Sequence, residues 1–188
     1  MSFYEKLLDP IRLDVTHMLE IGIDQGSSLK VWKEYFPKSA IYGIDLVIPD
    51  CVKNAEYVCG VGDQSNPADL QKLLRQWGNP QFDCIIDDGG HTVKQQRVSI
   101  ETLWSSVRPG GYYIIEDLHT NIRAMHYIHP HLNAQSKHID ELPTVHEKII
   151  NTMCGSKTEF SFPSSEIEEI LYFNTPNKLS LTCALKKL

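Results

Sequence analysis

Short apolar runs rich in β-branched residues alternate with amphipathic stretches along this chain, and most of the runs stop at a glycine or a carboxylate. That alternation marks a parallel sheet with helices on both faces. A strand covered on both faces is apolar throughout, whereas each covering helix is apolar on one stripe only. The first run, residues 16–21, ends at a glycine, and residues 27–36 follow with Leu29, Trp32 and Phe36 at helical spacing before the stop at Pro37. Residues 40–45 (AIYGID) and 56–60 (EYVCG) read as further strands, and Asn66-Pro67 as a cap and first-turn proline for a helix over 68–77. Residues 82–87 (FDCIID) form a buried strand broken by Gly89-Gly90. Thr92 then caps a helix whose apolar residues include Val93, Ile100, Leu103, Trp104 and Val107. Arg108-Pro109-Gly110-Gly111 turns the chain into a strand over 112–116, and 145–153 reads as a last helix. Strand-like residues 169–173 and 178–185 flank the turn Asn174-Thr175-Pro176-Asn177, so the chain closes with an antiparallel hairpin. The expectation is an α/β, doubly wound, Rossmann-like sheet of seven strands, mostly parallel. It would fold as one domain over 1–188, in keeping with roughly 150 residues per domain.

Composition narrows the function classes. With 41% hydrophobic and 22% charged residues the chain is that of an ordinary globular protein rather than a disordered one. Twenty-four acidic against 18 basic residues give a net charge of −6, which disfavours a nucleic-acid partner because it repels a phosphate backbone. No apolar stretch approaches the roughly 18 residues of a membrane span, and Met1-Ser2-Phe3-Tyr4-Glu5-Lys6 lacks a signal-peptide core. A cytoplasmic protein with no membrane partner is expected. Cys51, Cys59, Cys84, Cys154 and Cys183 contain no C-x-x-C pair and read as thiols without a role. Residues 118–143 have weak periodicity and read as a lid or binding loop; His126, His129, His131 and His138 show no ligand spacing.

In open α/β sheets ligands bind beyond the carboxyl ends of the strands, so the chemistry should lie where each run stops. After the first run stands Glu20-Ile21-Gly22-Ile23-Asp24-Gln25-Gly26-Ser27-Ser28, whose glycines allow a tight turn and a close approach to a ligand. Asp24 sits where a pyrophosphate-binding loop has glycine, which suits a ligand with a cationic centre. Asp45 ends the second run and can accept both ribose hydroxyls of a nucleoside. Asp63 and Gln64 end the third and could read an adenine amino group, although Asp63 could equally be a turn residue. Asp87-Asp88-Gly89-Gly90-His91 and Glu116-Asp117-Leu118-His119 end the fourth and fifth. If those strands are neighbours, Asp88, Glu116 and Asp117 converge and repel one another unless a cation sits between them. Magnesium fits a hard oxygen donor set; Arg123 is the bland alternative. His91 stands at the rim as a candidate general base, against the alternative that it caps the next helix.

The segments LEIGIDQGSS, GIDL, VGDQ, FDCIIDDGGH and RPGGYYIIEDLHT resemble the successive motifs of class I S-adenosylmethionine-dependent methyltransferases. The pair DDGGH and IIEDLHT resembles the metal-dependent macrolide-sugar O-methyltransferases of the mycinamicin and macrocin type. The resemblance implies that Glu20, Gly22, Asp24, Gln25, Gly26 and Ser28 hold the methionine part of S-adenosylmethionine. It implies ribose at Asp45, adenine at Asp63 and Gln64, magnesium at Asp88, Glu116 and Asp117, and His91 as the base. Related enzymes use an aspartate for that last step, and Asp87 stands close by in the cofactor region. The implied reaction is methylation of a hydroxyl on a small-molecule sugar or natural-product acceptor. Family members carry N-terminal helices or a further domain where this chain has a short stretch, so residues 118–143 would supply the lid and an uncovered apolar edge could be buried in a homodimer. Two other readings remain open: a non-catalytic nucleoside-binding module or assembly subunit, and a nicotinamide-dependent oxidoreductase, which Asp24 disfavours.

Overall fold

The computed structural model describes residues 3–53, 56–117, 137–138, 164–174 and 181–188. Its strands are β1 (His17–Ile21), β2 (Ala40–Asp45), β3 (Tyr57–Val61), β4 (Phe82–Asp87), β5 (Val107–Ile115), β6 (Lys137–His138), β7 (Ile167–Asn174) and β8 (Leu181–Lys187). The helices are α1 (Phe3–Leu8), α2 (Ser27–Tyr35), α3 (Asp50–Lys53), α4 (Pro67–Gln76) and α5 (Val93–Leu103). They build one sheet in the order β3-β2-β1-β4-β5-β8-β7-β6. The first five strands pair in parallel, and β8 runs antiparallel between β5 and β7. Apart from the two-residue edge strand β6, this is the seven-stranded, mostly parallel sheet with a closing antiparallel hairpin that the sequence predicts.

Alternation along the strands divides the core between two faces. Leu19 and Ile21 of β1, with Tyr113 and Ile115 of β5, pack against Leu70 and Leu73 of α4 and Ile100 and Leu103 of α5. Met18, Ile86 and Ile114 face the other way, against Phe3 and Leu7 of α1, Leu29 of α2 and Val52 of α3. Both helix starts predicted from caps are present. Asn66 accepts from the Ala68 N–H ahead of α4, and Thr92 with Gln95 forms a reciprocal capping box on α5.

Three features depart from the sequence reading. Helices α1 and α3, of six and four residues, are too short to show a helical period. Strand β5 starts at Val107 rather than at 112, because Arg108 reaches Asp83 at 2.5 Å and Phe82 pairs with Val107. The chain therefore stays in the sheet through Pro109-Gly110-Gly111 by an irregular register instead of turning out. The opposite oxygen of Asp83 accepts from the Thr16 and His17 N–H groups at 2.7 and 2.9 Å, so one carboxylate clamps the amino ends of three strands. The helix expected at 145–153 and most of the 118–143 segment lie outside the described residues. No helix among the described residues is long and apolar enough to cross a membrane.

Strand order reverses at β1, which is followed by β2 on one side and flanked by β4 on the other. The crevice at the carboxyl ends beside β1 is therefore the position where such sheets bind ligands.

Candidate active site

A cavity of about 600 Å³ opens in that crevice, lined by the loops after β1, β2, β3 and β4. The loop after β1 enters it with Gly22 at φ +84° and Gly26 at φ +78°. Gly22 has a second reason to lack a side chain: a Cβ there would lie 2.4 Å from the Asp88 carbonyl oxygen and 2.5 Å from the Gly89 Cα. The loops after β1 and β4 are thus in backbone contact, reinforced by the Asp88 N–H donating to the Ile21 carbonyl at 3.0 Å. Asp24, Gln25 and Ser28 line the cavity, with Asp24 itself at φ +42°.

Glu20 lies elsewhere. It is 2% exposed and accepts from the Ser28 hydroxyl at 2.6 Å and the Trp32 indole at 2.9 Å, which locks the start of α2 to β1. Burial raises its pKa, the two donors oppose that, and Glu116 adds to it. Glu20 shapes the loop from behind and is not among the cavity-lining residues. Asp45 lines the cavity, and its Oδ2 accepts from the Ile23 and Asp24 N–H groups at 2.8 and 3.1 Å, while Oδ1 accepts from Leu46 N–H at 2.6 Å. Its carboxylate therefore fixes the glycine loop while still facing the crevice.

Asp63 also lines the cavity and is held as an Asx-type turn by Ser65 N–H at 2.7 Å, a bond that holds its carboxyl below the ordinary range. Gln64 lines the cavity beside Asp63, and the protein engages its amide. Its Nε2 donates to Asp87 Oδ1 at 2.9 Å and Ser99 Oγ at 3.0 Å, and its Oε1 accepts from Gly90 N–H at 2.5 Å. With both amide hydrogens given to the protein, the side chain braces the β4–α5 loop. Asp87, 1% exposed, sits behind the same loop, with its other oxygen 3.5 Å from the Tyr113 hydroxyl. Burial pushes its pKa up to about 7, opposed by its bond from Gln64. It does not reach the cavity, so the aspartate beside His91 is poorly placed to act as the base.

Asp88, His91 and Asp117 come together. One ligand atom from each lies within 4.8 Å of the others, and His91 Nε2 is 3.6 Å from Asp117 Oδ2. They meet because β4 and β5 are neighbours and the Glu116 N–H continues their ladder to the Asp87 carbonyl at 2.9 Å. Asp88 stands exposed at the cavity mouth, yet the protein around its carboxyl, followed by Asp117 and Glu20, pushes its pKa up to about 6. The two carboxylates, with mutual repulsion to be relieved, are hard oxygen donors of the kind that suits magnesium or manganese, and the His91 imidazole stands beside them. Glu116, expected as a third carboxylate ligand, adjoins the group without joining it. Its Oε1 accepts a hydrogen bond from the Tyr4 hydroxyl of α1. Burial raises the Glu116 pKa; the Tyr4 bond opposes this, and Asp88 and Asp117 add to it.

Sequence reasoning missed the residues that hold these groups from behind: Tyr4, Trp32, Ser99 and Tyr113. Each sits at a helix or strand position where the pattern reads as ordinary core, so no local signal marked it. Gln96, whose Nε2 donates to the Glu116 carbonyl at 3.0 Å, lies on α5 and was equally silent.

No family model matches the chain. Over 124 residues, 62% of this chain and 31% of the relative, it is 37% identical to demethylmacrocin O-methyltransferase of Streptomyces fradiae. Over a stretch of the same length it is 36% identical to mycinamicin VI 2''-O-methyltransferase of Micromonospora griseorubida. The match thus spans about a third of the length of these curated relatives. Among solved structures, a MycE methyltransferase from the mycinamycin biosynthetic pathway, in complex with Mg, SAH and mycinamycin VI, superposes with a TM-score of 0.66 at 24% identity. That likeness covers 100% of this chain and 50% of the other and speaks for the fold.

Proposed function

From a chain that is related to the macrolide-sugar O-methyltransferases and has the class I methyltransferase sheet, we propose an S-adenosylmethionine-dependent, magnesium-dependent O-methyltransferase acting on a hydroxyl of a sugar or other small natural-product acceptor. The observation that carries this reading is the double role of Asp88, which lines the cavity and belongs to the Asp88/His91/Asp117 group. A cofactor in the crevice and a cation at its mouth would therefore share one wall.

The loop of Gly22 and Asp24 would receive the amino-acid end of the cofactor, the acidic Asp24 favouring its cationic groups. Asp45 and Asp63 would face its ribose and base. A cation held by Asp88 and Asp117, with Glu116 adjoining, would supply Lewis acidity toward the acceptor hydroxyl. His91 would take the hydroxyl proton, with Asp117 orienting the ring and favouring the imidazolium that forms. Transfer would gain chiefly from holding the acceptor oxygen in line with the methyl group, and the contact of the two loops at Gly22 keeps the crevice beside the acidic group.

The test is transfer of a labelled methyl group from S-adenosylmethionine to methyl α-L-rhamnopyranoside, a minimal acceptor with vicinal hydroxyls. Turnover that needs magnesium and stops in EDTA supports the reading. His91→Ala should lower turnover at least about a hundredfold, the lower bound for a general base, while leaving magnesium affinity near wild type. Full turnover in that variant removes His91 from the mechanism, and turnover indifferent to EDTA removes the cation.

A further inference from the structure

The Tyr4 hydroxyl donates to Glu116, which adjoins the Asp88/His91/Asp117 group, and it comes from the short helix α1. Three rings fix where that hydroxyl points. Tyr4 meets Trp32 edge-on at 5.2 Å and Phe3 edge-on at 5.6 Å, and Phe3 in turn stacks on Phe173 of β7 at 5.2 Å. Trp32 donates to Glu20, so the two packed rings Tyr4 and Trp32 hold one carboxylate each, Glu116 and Glu20. Glu116 is pinned by its main chain as well, through its N–H to Asp87 and its carbonyl from Gln96. With its backbone held on both sides and Oε1 taken by a phenol, the orientation of the carboxylate is set.

We infer that Tyr4 is a positioning residue for the cation site: through Glu116, helix α1 sets how strongly Asp88, Asp117 and their neighbours hold a divalent ion. The inference rests on the cation reading proposed above. Its physical basis is general, since carboxylates that serve metals are themselves held by hydrogen bonds, and loss of such an outer partner typically costs about 10–100-fold in affinity. A neutral donor is required for this work. Burial and the neighbouring Glu116 both raise the Tyr4 pKa, which favours the neutral phenol as donor.

The experiment is calorimetric titration of magnesium into the full chain as wild type, Tyr4→Phe, Glu116→Gln and the double variant, with the melting temperature of each as the control for packing. Tyr4→Phe keeps the ring contacts and should keep the melting temperature. Its magnesium affinity is expected to fall about tenfold, with no further fall when it is added to Glu116→Gln. Unchanged affinity in Tyr4→Phe, or an equal loss in both backgrounds, would overturn the inference. A wild type that binds no magnesium would instead overturn the cation reading on which it rests.

Discussion

Gly22 shows how much of the site depends on one missing methyl group. Its left-handed φ of +84° and the 2.4 Å approach to the Asp88 carbonyl act together, so Gly22→Ala is strained in conformation and also pushes the β1 and β4 loops apart. We expect the variant to lose roughly 1–3 kcal/mol of stability and to bind S-adenosylhomocysteine markedly more weakly, read by thermal melting and calorimetry. Wild-type behaviour in both would mean that the loops do not touch. Asp87 carries a pH prediction. Its folded pKa of about 7 lies above the value of about 4 for an unfolded aspartate, so the native state binds the proton more tightly. Its contribution is therefore favourable at low pH, is lost as pH rises from about 4 to about 7, and leaves the buried charge at full cost above that. Asp87→Asn should then be more stable than wild type to chemical denaturation at pH 8, by on the order of a few kcal/mol at most, and the gap should narrow toward pH 5. A gap that widens on acidification would contradict the assignment. At this scale the sequence showed which residue types stand at the strand ends but not which way they face. Asp87 and Asp88 are adjacent, yet one is braced by Gln64 behind the loop and the other opens onto the cavity.

Elements were legible where their signals are local. Capping chemistry is complete within a few residues, so Asn66-Pro67 and Thr92 announced α4 and α5 correctly. Helix α1 has only six residues, too few to show a helical period; it is held because Phe3, Leu7 and Leu8 find a core built by distant strands. The start of β5 was misjudged for a related reason, since the Arg108–Asp83 pair that keeps it in the sheet joins residues far apart in sequence. The capping box of α5 begins one residue after His91, which gives it a functional consequence. The Thr92 side chain accepts from Gln95 N–H at 3.3 Å, and Gln95 bonds back to the Thr92 N–H at 3.3 Å. Thr92→Ala should cost about 1 kcal/mol in chemical denaturation and lower turnover more than it weakens cofactor binding, because the helix start anchors the His91 segment. Unaltered stability would show that the box contributes nothing.

At the scale of the whole molecule, the βα rhythm and the near-invariant right hand of parallel crossovers leave few ways to arrange five parallel strands. That is why the sheet could be read before the structure and why β4 and β5 came out as neighbours. The meeting of Asp88, His91 and Asp117 follows from that adjacency, whereas the diversion of Glu116 to Tyr4 depends on where α1 packs. The central claim is that the cofactor crevice and the acidic group form one cleft. Its most direct test is calorimetric titration of S-adenosylmethionine into the full chain, followed by magnesium into the loaded wild type and into Asp117→Ala. The account predicts cofactor binding in both proteins and a magnesium heat that disappears in the variant. Absence of cofactor binding by the wild type, or a magnesium heat that survives the loss of Asp117, would contradict it.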